Sequence, residues 1–190
     1  MPGFLNPDGS ELVGALSPSN VGGALRKDAL GNLLVTDGVA GQVLQGDAYL
    51  ASNGLVNAAA GNFPMGIFNP SNSGKNILIY SIAVSCGGTG FDAAFQFQAT
   101  DPAFSKAGIV TNKKIGGSAS AIAGSITYED TSQTRNGPYA RWEPYTSSPV
   151  DMVFAGSPVL LPAGSANALI VWVTTYGNGY SAIHLEWVEF

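Results

Sequence analysis

The apolar stretches of this chain either alternate at a period of two or run continuously through short β-branched segments, and no segment carries the three-to-four spacing of an amphipathic helix. The clearest case is the carboxy-terminal segment Tyr180 to Phe190: Ile183, Leu185, Trp187 and Phe190 are apolar, whereas His184, Glu186 and Glu189 are polar. Alternation of this kind predicts a strand with one face on a core and the other in water. Just before it, Leu160-Leu161 runs through the turn-forming Pro162-Ala163-Gly164-Ser165 into Leu169 to Thr175, a β-branched and aromatic run that predicts a buried strand. Between the two lies Tyr176-Gly177-Asn178-Gly179, whose residues suit positive φ and predict a hairpin joining the last two strands.

Further strands follow from the same pattern. Phe63 to Phe68, Asn76 to Ser85, Ala93 to Thr100, Ile126 to Glu129, Tyr139 to Glu143 and Val150 to Phe154 are short apolar or alternating runs, each closed by Gly, Pro, Asn or Ser. In Ala93 to Thr100, phenylalanine points in and glutamine out. Asp101 to Thr111 reads as loop, and Lys113 to Gly124 as a Ser/Ala/Gly-rich connection. The sum is about eight short strands and no helix, which predicts an all-β fold: an antiparallel β-sandwich of jelly-roll type.

Residues 1–40 have a different texture. Turn chemistry at Asn6 to Ser10 and Ser17 to Asn20 is followed by short extended runs around Gly31-Asn32, with too few apolar positions to offset the entropy of ordering forty residues. The expected organisation is an extended amino-terminal arm or hairpin over 1–40, a Gly/Ala-rich connector with a short strand over 41–62, and the jelly roll over 63–190. Within the connector, Asn53-Gly54 is a hairpin signal. An arm of this composition is either disordered or lies on another surface, a neighbouring subunit being the candidate, and Val21, Leu25, Arg26, Leu30, Leu33 and Val35 are its candidate partner-binding residues.

Composition narrows the function. Charged residues make up 11% of the chain, against about 25% in an average domain, so the exterior is built from uncharged polar groups or buried against partners. The net charge of −5, with eight Lys and Arg in total, argues against nucleic acid, whose binding needs clustered cations. A single cysteine, Cys86, excludes an internal disulfide and reads as a buried structural thiol. No run approaches the ~18 apolar residues of a membrane helix, and the amino terminus lacks a secretory leader pattern, so a soluble protein made in the cytoplasm is expected.

Catalytic patterns are sparse. His184 is the single histidine, and no Gly-x-Ser-x-Gly elbow accompanies it. No metal-ligand spacing, phosphate loop or dinucleotide fingerprint is present, so no cofactor is expected. Glu129, Asp130, Glu143 and Asp151 lie in or beside predicted strands close to Tyr128, Tyr139, Trp142 and Tyr145. Paired carboxylates are what a glycosidase needs. The favoured reading of the four aromatics is a sandwich edge or a subunit interface, with a glycan-binding surface as the alternative.

The phrase Ala24-Leu25-Arg26-Lys27-Asp28-Ala29-Leu30-Gly31-Asn32-Leu33-Leu34-Val35 resembles the amino-terminal arms of tailed-bacteriophage virion proteins, and Leu161-Pro162-Ala163-Gly164-Ser165 entering a Val/Ile/Trp strand is similar to late strands of phage jelly-roll modules. The resemblance implies a non-enzymatic capsid cement, or decoration, protein: a homotrimer of jelly rolls in the virion that binds the major capsid protein, with no cofactor, nucleic acid or membrane partner. A tail, baseplate or fibre component that binds glycans through Tyr128, Tyr139, Trp142, Tyr145, Trp172 and Tyr176 is the alternative. A sandwich-fold glycoside hydrolase stands third.

Overall fold

The structure, a computed structural model, describes residues 26–27, 33–34, 42–43, 45–87, 90–135, 138–145, 150–152, 158–177 and 179–190. The chain divides into two compact units, Met1–Asp37 and Gly38–Phe190. In the first, β1 (Arg26–Lys27) pairs antiparallel with β2 (Leu33–Leu34), with Arg26 opposite Leu34 and Lys27 opposite Leu33. Of the candidate arm residues, Arg26 and Leu33 belong to this ladder. Val21, Leu25, Leu30 and Val35 lie outside the described residues.

The second unit is a two-sheet antiparallel sandwich. Its eight principal strands are β3 (Ala48–Ser52), β5 (Gly61–Asn69), β6 (Ile77–Cys86), β7 (Phe91–Gln98), β11 (Arg141–Tyr145), β12 (Val150–Met152), β14 (Asn167–Thr175) and β15 (Gly179–Glu189). One sheet contains the order β12-β6-β15-β3 and the other β11-β7-β14-β5. First pairs with last (β3 with β15), second with seventh (β5 with β14), third with sixth (β6 with β12) and fourth with fifth (β7 with β11), all antiparallel. This nesting is a long hairpin folded over on itself, the jelly roll that the strand pattern predicts.

Two turn readings need correction. Gly177 to Gly179 does not close a hairpin: β14 pairs with β5 and β7, whereas β15 pairs with β3 and β6, in the opposite sheet. Both edges of each strand are already taken, so the connection has to cross the sandwich. Nor does Asn53-Gly54 reverse the chain. After it, β4 (Val56–Ala58) continues along β15, opposite Gly179 to Ser181. Gly54 does take positive φ (69°), but the Asn53 carboxamide oxygen accepts the Ile183 N–H at 2.8 Å and replaces a ladder bond across the interruption. The connector thus supplies β3 and β4 to the sheet. Ahead of them, Gln42, Val43 and Gln45 form a helical turn, closed by the Gly46 N–H on the Gln42 and Val43 carbonyls.

The core lies between the sheets. Met65, Ile67, Phe91, Phe95, Leu169, Val171 and Val173 from one face meet Ile77, Ile79, Ile82, Val84, Ile183, Leu185 and Trp187 from the other. Each is buried, which stabilises the fold by roughly 1.5–3 kcal/mol per large side chain. Trp187 stacks on Tyr49 at 5.7 Å between ring centroids. Cys86 is buried, as its apolar setting predicts.

The long connection between β7 and β11 is the departure from a minimal jelly roll. Asp101 to Thr111, read as loop from sequence, contains β8 (Lys106–Ala107) and all but the last residue of β9 (Ile109–Asn112). β8 adds to the six-stranded sheet beside β10 (Ile126–Tyr128), while β9 adds to the seven-stranded sheet beside β3. One extended stretch therefore binds both sheets along the same side of the sandwich. Gly108 is the crossing point, where its N–H donates to the Ile126 carbonyl at 2.8 Å. The pattern missed these strands because both are short and largely exposed, so neither carries an alternating apolar face.

Candidate functional site: a groove on the outer face of the six-stranded sheet

The outer face of β7 and β14 is not a wet surface. Ala94, Ile170 and Trp172 are buried there beneath Phe104 and Tyr139, so the β7–β11 connection forms a partial third layer. Cross-strand register accounts for the grouping: Trp172 lies opposite Ala94, and Ile170 opposite Gln96. A small alanine leaves room for the indole, whose Nε1–H donates to the Gln96 Oε1 at 3.0 Å. Phe104 meets the indole edge-on at 6.3 Å.

The cover does not close completely. Beside Trp172 a groove of about 240 Å³ opens, floored by Gln96, Gln98 and Ile170. Asp101, Pro102 and Phe104 form one wall, Gln133 and Thr134 the other. The first wall is built with some strain. Ala103 has φ 48°, the one non-glycine residue at positive φ among the described residues, and the Asp101 carboxylate holds it by accepting its N–H at 2.8 Å. The wall is seated on Gly66, where a Cβ would come within 2.6 Å of Pro102 Cγ and 3.4 Å of Phe104 Cε2. Glycine is thus required under the loop for the closeness of the approach rather than for its backbone angles.

Polar groups border the groove. Arg135 spans the adjoining row, donating from Nη1 to Thr174 Oγ1 at 2.5 Å and lying 4.6 Å over the Tyr139 ring. Thr174 in turn donates to Asn62 Oδ1 at 2.8 Å. At the end of β14, the exposed Tyr176 hydroxyl has its pKa raised by a hydrogen bond to Asp92.

The four aromatics singled out in the sequence do not share a surface. Tyr128 packs inward on the core beside Val56 and Phe63, and Tyr145 packs on the core with its ring stacked on Phe91 at 5.3 Å. They sit in β10 and β11, four strand positions apart in the six-stranded sheet, roughly 19 Å at the ~4.8 Å strand spacing. Tyr139 alone joins the outer cluster over Trp172, and the Trp142 side chain lies outside the described residues. The carboxylates are separated in the same way. Glu129 accepts hydrogen bonds from the Ser105 and Asp130 N–H groups and the Thr131 hydroxyl, chiefly the Ser105 contacts holding its carboxyl below the usual value. On the far edge, Glu143 is held low by Arg141 at 2.6 Å and by the Tyr145 hydroxyl at 2.7 Å. A two-carboxylate glycosidase needs ~5–10 Å between the pair, so Glu129 and Glu143 cannot act together. Asp130 is paired with Lys106 at 3.1 Å.

Sequence reasoning read Gln98 as outward-facing, like Gln96, but missed Asp101, Phe104 and Gln133. Gln96 was legible as outward-facing from its alternation with Phe95, but nothing in the pattern shows that a loop thirty-odd residues later returns to cover it. Among the described residues no group of three His, Cys, Asp or Glu side chains could hold a metal ion, and no helix is long and apolar enough to cross a membrane.

The fold defines the class of this protein, a jelly-roll β-sandwich with an inserted connection that binds both sheets and partly covers one. No family model matches the chain, and no curated protein or solved structure matches it significantly.

Proposed function

We propose that the chain is a non-enzymatic structural protein of a virion, a decoration protein whose jelly-roll body oligomerises and whose amino-terminal unit binds major capsid subunits. The observation that carries this reading is the division of the chain into a jelly roll at Gly38–Phe190 and a separate unit at Met1–Asp37. A unit of 37 residues without a cysteine is below the ~40 residues at which a chain folds without disulfides, metal or association. It therefore needs an outside surface, and a neighbouring subunit supplies one. The low charge and the exposed Leu55, Ile109 and Leu160 on the body also fit a protein that meets other subunits.

Light scattering on the full-length protein, followed by co-sedimentation with shells of the major capsid protein encoded with it, tests the proposal. The expected result is a trimer that sediments with shells, and whose first ~37 residues become resistant to limited proteolysis only when shells are present. A monomer that stays in the supernatant overturns it.

A further inference from the structure

We propose that the groove beside Trp172 binds one uncharged sugar unit, a pyranose or a polyol of similar size. The inference concerns the body alone and does not rest on the assembly role. It starts from unused hydrogen-bonding capacity. Gln96 Oε1 accepts the Trp172 indole N–H, and Gln96 Nε2 has no partner among the described residues. Gln98 gives Nε2 to the Thr100 carbonyl and keeps Oε1 open, and Gln133 gives Nε2 to Thr131 Oγ1 and keeps Oε1 open. Asp101 uses Oδ1 on the Ala103 N–H and leaves Oδ2 available. All four side chains line the same groove, which therefore carries both donor and acceptor capacity, as the hydroxyls of a sugar require, since each hydroxyl both donates and accepts.

Charge and shape narrow the ligand. Among the described residues no cation lines the groove, Arg135 beside it is engaged by Thr174 and Tyr139, and Asp101 adds negative potential at the wall, so phosphate and carboxylate ligands are disfavoured. Ile170, Pro102 and Phe104 supply apolar surface for the C–H face of a ring. The volume of about 240 Å³ falls below the ~300–1,000 Å³ typical of sites for drug-sized molecules, which suits one ring rather than an extended chain. The wall is also preformed: the positive φ of Ala103 and the close seat on Gly66 hold Pro102 and Phe104 in place before any ligand arrives. Preorganisation is what so small a ligand needs, because it has little contact area with which to order a loop.

The test titrates the full-length protein with glucose, galactose, mannose and N-acetylglucosamine, each to ~100 mM, with sialic acid and phosphate as anionic comparators, following side-chain amide and indole resonances by NMR. Saturable binding of at least one neutral sugar in the millimolar range is expected, shifting the Gln98 and Gln133 amides and the Trp172 indole. Gln98→Ala and Gln133→Ala should each weaken it about tenfold with unchanged thermal unfolding, and Leu55→Ala, on a surface outside the groove, should leave it unchanged. Failure of every neutral sugar to saturate overturns the inference. So does saturation by the anions alone, or binding that moves resonances elsewhere and survives both glutamine variants. These readings are made on the isolated protein, so their failure leaves the capsid-binding test untouched.

Discussion

Ser120 and Glu189, sixty-nine residues apart, meet inside the protein, where the serine hydroxyl donates to the glutamate Oε1 at 2.5 Å. Glu189 is 1% exposed and also accepts the Ala121 N–H at 3.0 Å and the Trp187 indole N–H at 3.1 Å. The contact fastens the β7–β11 connection to the last strand. Neighbouring Ile122, fully buried, then adds the apolar part of the same anchor. Glu189→Ala leaves three donors without their acceptor and is expected to destabilise the fold by about 3 kcal/mol or more, Ser120→Ala by about 2 kcal/mol. Urea unfolding of the single and double variants checks this; additive losses would mean that the two residues do not act as a pair.

Gly108 joins the strands that bind both sheets. A Cβ there would lie 2.8 Å from Ile126 Cγ2 and 3.3 Å from Met65 Cε, and both of those side chains are fully buried. Gly108→Ala should therefore cost about 1–3 kcal/mol through overpacking. Gly124→Ala, with nothing within 4 Å, should change stability by less than about 0.5 kcal/mol. Equal effects in denaturant unfolding would contradict the close approach.

Ala103→Gly is expected to reverse the usual direction. Alanine to glycine normally destabilises by loosening the unfolded chain, but a left-handed alanine costs about 1–2 kcal/mol that glycine avoids. The variant should thus be as stable as the parent, or more stable by up to about 1 kcal/mol, in thermal unfolding. A clear loss would show that Ala103 is not strained.

Stability should fall in acid through two identified carboxylates. Glu129 and Glu143 are both held below the ordinary 4.5, by the Ser105 and Arg141 contacts respectively. A carboxyl with a depressed folded value binds its proton more readily when unfolded, so its contribution is present above about pH 4.5 and is lost as the pH falls through the folded value. Unfolding midpoints measured from pH 6 down to pH 3 should drop, and the combined Glu129→Gln and Glu143→Gln variant should show a shallower drop. Identical profiles would place the acid sensitivity elsewhere. Tyr145, desolvated and bonded to Glu143, has its hydroxyl pushed up to about 12 and stays protonated throughout this range.

Cys86 is 8% exposed, and desolvation raises its thiol above the usual 9.0. Because the thiolate is the reactive form, labelling at pH 8 should be at least about tenfold slower in the native protein than in denaturant. Equal rates would mean that the end of β6 opens readily.

Much of the fold was legible because a strand states its own facing. Ile183, Leu185 and Trp187 recur every second residue, and all three are buried between the sheets. That parity reaches Glu189 as well, which the polarity of its side chain assigned to the wet face but which points inward to Ser120. Phe190, read as inward, is 46% exposed. Here residue type misled and periodicity did not, since hydropathy alone cannot register a carboxylate whose hydrogen bonds are supplied by a distant loop.

What the sequence determined by itself was the identity of the eight principal strands, the all-β class and the sandwich, because period-two patterning and turn chemistry act within a few residues. Tertiary structure alone decided which strands pair, that Gly177 to Gly179 crosses between sheets, that Lys106 to Asn112 binds both, and that Gln98, Asp101 and Gln133 border one groove over Trp172. Those outcomes depend on contacts across tens of residues, where the free edges of strands and the space left by Gly66 and Ala94 choose the neighbour. No local pattern encodes that choice.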